Sequence, residues 1–440
     1  MPHRLLICAL ACALAGQTAE AQMVDPPRSL GELRLKNAAF VEVYSSQKGD
    51  GDEVDRQTLY VSSFNPGNII GDDLVYYLRA PGRQLDTVAD WDMQVLDHQA
   101  DWTNDICYTP SEATGFEGVV VTSGFLVPFK THGRLQLYNT ETSPPSGPYL
   151  LSALDKRDWA YHRALWHDMD ADGDLDLLTA RFHQSALTHV TTSSLAYLEN
   201  NGTSPADWAL WPQHELVSGG PDVGFRMVQL QSGGQTHDVL LAGEFWNERL
   251  TLYWTESGDW SRPGDILSRT IDNTTGQIFD VFYSDLNGDG VPEVWASAFD
   301  LAAKNGSLYT WAVPDDFATG EWRRTTLDTN FHPNSMLFGE TMSPGSAVAF
   351  HPSETARAAG RKPLILLSGD DDGNHYILQP TSQAADDWTY ERQTVVQTGQ
   401  TTAGQVTVAD LDADGYTELI LAGYTIGKLY VLTYAPAPAA

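Results

Sequence analysis

The chain has 440 residues, with 26 Lys and Arg against 58 Asp and Glu, giving a formal net charge of −32 at pH 7. Nucleic acids and anionic membranes call for basic surfaces, so this balance argues against both as partners. Three cysteines, Cys8, Cys12 and Cys107, are too few for a disulfide-rich scaffold.

In chain order, the first segment is MPHRLLICALACALAGQTAEAQ: one arginine, an apolar run too short to span a bilayer, then Ala-Glu-Ala. It reads as a secretory signal peptide over residues 1–21, cut after Ala21. Cys8 and Cys12 would leave with it, and Cys107 reads as a small buried apolar residue. Residues 22–440 are then expected to form one secreted domain with no intrachain disulfide. No later stretch has the length of a transmembrane helix, and the tail TYAPAPAA carries no anchor signal.

The stretch GELRLKNA (31–38) is strand-like and belongs to no unit of the repeat that follows it. That repeat shows in pairs of small residues closing apolar runs: Ser62-Ser63, Ser123-Gly124, Thr179-Ala180, Ala242-Gly243, Ala296-Ser297, Ser368-Gly369 and Ala422-Gly423. Their first members lie 61, 56, 63, 54, 72 and 54 residues apart, so seven units emerge. Each unit has a first strand, a loop, a second strand ending in the small pair, and a third strand rich in apolar and aromatic residues. A fourth strand often opens on tryptophan: Trp91, Trp208, Trp260, Trp322 and Trp388.

Four antiparallel strands repeated radially make an all-β, seven-bladed β-propeller. The seventh unit stops after its third strand, KLYVLTY. The stretch 31–38 is therefore expected to supply the missing outer strand and close the ring.

Three units carry a longer signature between first and second strands: DMDADGDLD (168–176), DLNGDGVPE (285–293) and DLDADGYTE (410–418). Side chains one, three and five of such a loop converge, glycine at six allows the turn, the carbonyl at seven adds an oxygen and the acid at nine completes the shell. That donor set suits Ca2+, a hard cation wanting six to eight oxygens, better than Mg2+. The expected ligands are Asp168, Asp170, Asp172, Asp176 and the Asp174 carbonyl; Asp285, Asn287, Asp289, Glu293 and the Val291 carbonyl; and Asp410, Asp412, Asp414, Glu418 and the Tyr416 carbonyl. An EF-hand is excluded, because its position twelve must be Glu and here it is Thr179, Ala296 and Leu421. Three such ions would serve as staples in a chain without disulfides. Sequons stand at Asn201, Asn273 and Asn305, so glycosylation is a further expectation.

DMDADGDLDLLTA and LAYLENNG resemble the VCBS/FG-GAP repeats of integrin α-subunit propellers and many secreted microbial and fungal proteins. The resemblance covers three units closely and the other four loosely. It implies calcium in loops joining strands one and two, which carries onto the three loops above. The corresponding stretches KGDGDEVD, SEATGFEG, QSGGQTHD and ETARAAGRKP depart from the pattern. Known members include receptors, lectins and enzyme domains, so the family implies a scaffold, not a function.

If calcium loops occupy one face, a ligand belongs at the other, where segments after the small pairs and before the first strands converge. These carry His162, Arg163, Arg181, His183 and Glu244, the candidate acid–base or oxyanion groups if the protein is an enzyme. Candidate ligand contacts are Trp246, Asn247, Arg226, Asp280, Asp300, Asp370 and Tyr424. The long connection 329–346, with His332, Met336, Phe338 and Met342, is placed over the same mouth as a candidate lid.

Three functions fit: a binding protein for a glycan or other small ligand; a lyase, isomerase or cyclase without a redox cofactor; and an adhesive matrix protein. No nucleophile elbow, zinc motif, dinucleotide fingerprint or P-loop is present.

Overall fold

A computed structural model describes residues 23–48, 51–65, 73–127, 130–152, 159–185, 190–200, 202, 210–335 and 341–437. The expected signal peptide at residues 1–21, with Asn201, Trp208, Met336 and Phe338, lies outside the described residues.

Among the described residues, alternating apolar residues and turn punctuation produce 28 strands in seven four-stranded antiparallel sheets, arranged as a ring of blades. Blade three shows the plan: Ala160–His167, Asp176–Gln184, Thr191–Leu198 and Gln213–Ser218 pair in chain order. The first strands are Ala38–Ser45, Asp105–Thr109, Ala160–His167, Gly224–Ser232, Gln277–Ser284, Ala347–Phe350 and Val406–Ala409. Each touches the first strand of both neighbouring blades, so these seven strands wall the central channel.

The N-terminal strand closes the ring as expected, with a shifted boundary. Arg28–Arg34 pairs antiparallel with Lys428–Thr433 as the fourth strand of blade seven. The stretch 31–38 straddles two elements, because Ala38 already begins the first strand of blade one. The turn Leu35–Asn37 separates them, with Asn37 at φ 54°.

There is no single core. The buried apolar residues fall into seven clusters, one at each contact between neighbouring blades. At the closure, Leu33, Ile420 and Leu429 of blade seven pack with Leu59, Val61 and Trp91 of blade one. The small pairs make these contacts possible. A Cβ on Gly243 would come within 2.5 Å of Ile278 Cγ2 in the next blade.

Of the tryptophans before the fourth strands, Trp322 and Trp388 are half-buried and two lie deeper. Trp260 is fully buried between blades three and four, and Trp91 lies in the closure cluster.

Candidate functional sites: acidic loops, aromatic mouth and charged channel

The three acidic loops join first and second strands, all on one face of the ring, and share one hydrogen-bond plan. The acid at position nine accepts the N–H of position two: Asp176 from Met169, Glu293 from Leu286 and Glu418 from Leu411, at 2.9, 2.9 and 2.8 Å. The position-one aspartate accepts the N–H of the glycine at six, from Gly173, Gly290 and Gly415 at 3.1, 2.9 and 2.9 Å. Those glycines sit at φ 100°, 89° and 86°, where a side chain would be strained.

One carboxylate oxygen each of Asp168, Asp170 and Asp176 lie within 4.8 Å of one another, and so do those of Asp410, Asp412 and Glu418. Asp168 Oδ1 and Asp412 Oδ1 are buried without a hydrogen-bond partner. Crowded, desolvated and partly unpartnered oxygens are of the kind a hard cation takes as donors. Burial pushes Asp176 up to about 6 and both Glu293 and Glu418 up to about 7, reinforced in each case by the neighbouring aspartates. In the middle loop Asn287 Nδ2 donates to Asp289 Oδ2 at 3.0 Å, so the amide nitrogen holds that aspartate. Asp172, Asp174 and Asp414 lie on the exposed rims of their loops, Val291 is exposed, and Tyr416 is half-buried.

Sequence reasoning missed position two. Met169, Leu286 and Leu411 are each fully buried, and each side chain enters the apolar cluster shared with the next blade. That next blade also grips the loop backbone. Trp260 N–H donates to the Met169 carbonyl, Tyr390 Oη to the Leu286 carbonyl and Gln57 Nε2 to the Asp410 carbonyl. The signal was present in the sequence as an apolar residue inside an otherwise polar loop.

On the opposite face, the residues after the small pairs form an aromatic arc. It runs from Tyr424 of blade seven to Phe64 of blade one, then through Trp102, Phe125 of blade two and Phe182 of blade three to Trp246 and Phe245 of blade four. Successive ring centroids lie 5.2, 4.1, 5.0, 5.8, 6.2 and 4.8 Å apart. Phe64 and Phe182 are buried; Trp102, Phe125, Phe245, Trp246 and Tyr424 are half-buried.

Trp102, which sequence reasoning missed, stands at φ 57°, an uncommon conformation for a bulky side chain. Its N–H is held at 2.8 Å by Asp73, which also pairs with the buried Lys130. Asp222 performs the same service for Phe245 and Trp246, accepting their N–H groups at 2.8 and 3.0 Å.

The candidate residues of blades three to five separate into two groups. His162, Arg163, Arg226 and Asp280 are not in connections before the first strands but within those strands, which begin earlier at Ala160, Gly224 and Gln277. They therefore stand on the strands that wall the channel, His162 and Asp280 buried and Arg163 and Arg226 half-buried. Arg163 donates to Asp280 Oδ2 across blade four at 3.0 Å. His162 Nδ1 meets the Val223 carbonyl at 3.1 Å, and burial together with Arg163 lowers its pKa to about 4.

Arg181 and His183 fall inside the second strand of blade three, which runs on to Gln184. Arg181 stacks over Trp159 at 4.2 Å and reaches Ser194 and Glu215. Glu244 is fully buried and accepts from Asn247, Arg249 and Tyr253 at 2.6, 2.7 and 2.7 Å. Asp300 accepts the N–H groups of Ala302 and Ala303 in an exposed turn.

Asp370, at φ 52°, stands beside Asp371 and Asp372, and burial with those neighbours raises its pKa well above the carboxylate range. Within the long connection, His332 is exposed against the Lys304 carbonyl and Met342 N–H donates to Asp371. Asn273 is exposed, whereas Asn305 begins a strand and donates to Thr329 Oγ1.

Two further channel groups complete the picture. Glu42 of blade one and Asp105 of blade two stand in the first strands AAFVEVYS and DICYT. Each is an acid in an otherwise apolar run, a signal sequence reasoning passed over. Burial, then mutual repulsion, raises Glu42 to about 7, with Arg163 and Arg226 opposing. Burial raises the Asp105 pKa, with Asp280 adding to the rise and Arg163, the Ala164 N–H and Arg226 opposing it. These five charges all stand on first strands, the strands that wall the channel.

Compared with known proteins, the chain matches no family model and no curated sequence. Among solved structures, the Dos1 propeller is similar at 11% identity and a TM-score of 0.46, over 92% of this chain and 83% of that one. Among the described residues, no helix is long and apolar enough to cross a membrane.

Proposed function

We propose that this protein is a secreted, calcium-stabilised propeller that binds a glycan at the mouth opposite the acidic loops. The observation that carries the reading is the aromatic arc from Tyr424 to Phe245, which covers five consecutive blades on one side of the mouth. Aromatic faces stack on the apolar faces of sugar rings, while nearby polar groups read hydroxyls. The strained Trp102, fixed by the Asp73–Lys130 pair, fits an arc arranged before the ligand arrives.

Binding is favoured over catalysis because the candidate acid–base groups are already engaged. Glu244 has three donors, Arg181 has Ser194, Glu215 and Trp159, and His162 has a backbone carbonyl. The VCBS/FG-GAP resemblance supports calcium in the three loops, and the unpartnered Asp168 and Asp412 oxygens add support in the first and third. Asp168, Asp170 and Asp176, with Asp172 and the Asp174 carbonyl, would hold one ion. The Asp285 and Asp410 loops would hold the others.

A glycan array with the full protein in calcium tests the reading. Binding to one class of glycan, abolished by Trp246→Ala with thermal stability retained, supports it. An array without hits would overturn it.

A further inference from the structure

We propose that the channel below the mouth is a second binding site, taking a small zwitterion that carries one carboxylate and one ammonium group. Glu42, Asp105, Arg163 and Arg226 are all half-buried on the innermost strands, which wall the channel. They do not simply neutralise one another. Arg163 is spent on Asp280, but among the described residues neither Glu42 nor Asp105 forms an ion pair with any cation.

Each group keeps unused capacity. Arg226 commits only Nε, to the Val281 carbonyl at 2.6 Å, and stacks over Phe282 at 5.2 Å. Its two terminal nitrogens have no described protein partner. Glu42 commits Oε1 to Gln405 Nε2 at 3.0 Å, and Asp105 commits Oδ2 to the Ala164 N–H at 3.1 Å. Their second oxygens have no described partner, and neither is closed off from water.

The arrangement has a polarity. Free acceptors stand on blades one and two, free donors on Arg226 of blade four, and the first strands AVAF and VTVA of blades six and seven carry no charge. A lone anion drawn to Arg226 would be repelled by Glu42 and Asp105. A lone cation drawn to those acids would be repelled by Arg226 and Arg163. A molecule bearing both charges satisfies both sides, and its carboxylate suits a guanidinium fork.

The test titrates glycine, with acetate and methylammonium as half-ligands, into the full protein in calcium and reads binding by NMR. Glycine should bind about tenfold more tightly than either half-ligand. Arg226→Gln and Asp105→Asn should each remove that advantage, with melting curves confirming a folded ring. Should Arg226→Gln fail to fold, Glu42→Gln replaces it. Glycine no tighter than acetate or methylammonium, or a preference that survives these variants, would overturn the proposal. Trp246→Ala separates the two sites, because it removes glycan binding and leaves the glycine response intact.

Discussion

The backbone N–H of Trp260 in blade four donates to the carbonyl oxygen of Met169 in blade three, 2.7 Å away. Met169 is position two of an acidic loop, and its side chain is buried with Trp260 in the cluster between those blades. The loop therefore does more than gather carboxylates. It holds an apolar plug in the neighbouring interface, and whatever orders the loop orders the contact between blades.

Calcium removal should accordingly lower the melting temperature of the whole ring. Each site at a calcium concentration about 100 times its Kd contributes about 2.7 kcal/mol. Asp172→Ala should lower the melting temperature even at saturating calcium. Differential scanning calorimetry with and without chelator checks this, and identical curves would mean the loops are turns only.

The plug makes a second prediction, independent of any ion. Leu286→Ala removes a fully buried side chain between blades five and six and should cost about 2–5 kcal/mol. Val291→Ala, in the same loop but exposed, should cost less than about 0.5 kcal/mol. Denaturant melts of the two variants give the comparison.

Ring closure rests on Arg28–Arg34, whose loss would expose the edge of Lys428–Thr433 and part of the closure cluster. Deleting residues 23–34 should broaden unfolding into a non-cooperative transition. A truncated protein that melts as sharply as the full chain would refute the closing role.

Stability should also depend on pH through the channel. Glu42 is raised from 4.5 to about 7 in the folded state, so the folded protein keeps a proton that the unfolded chain releases. Folding is then unpenalised below pH 4.5 and loses stability as pH rises from there to about 7. Glu42→Gln should flatten that decline in calcium-saturated protein. Part of it should remain, because Asp222 is also raised, to about 7. A decline of unchanged slope in Glu42→Gln would rule out this source.

Much of this was legible because the relevant patterns are local. A carboxylate at every second position followed by glycine is a property of nine consecutive residues. Strand alternation and the small pairs recur about every 60 residues, so seven units and their loops could be counted from the sequence. The missing fourth strand of the last unit required a partner from elsewhere, and the N-terminal strand was the piece left over.

What the sequence could not decide is which residues meet across blades. Arg163 and Asp280 are 117 residues apart, yet they join across blade four, where a Cβ on Gly224 would lie 3.0 Å from the Asp280 backbone. Glu42, Asp105 and Arg226 form one belt only because their first strands all wall the same channel. Trp102 joins the aromatic arc only because a left-handed turn swings it between Phe64 and Phe125. Local chemistry set the repeat and its loops by short-range sterics and hydrogen bonding. The radial packing of seven blades decided which distant side chains share a mouth and a channel.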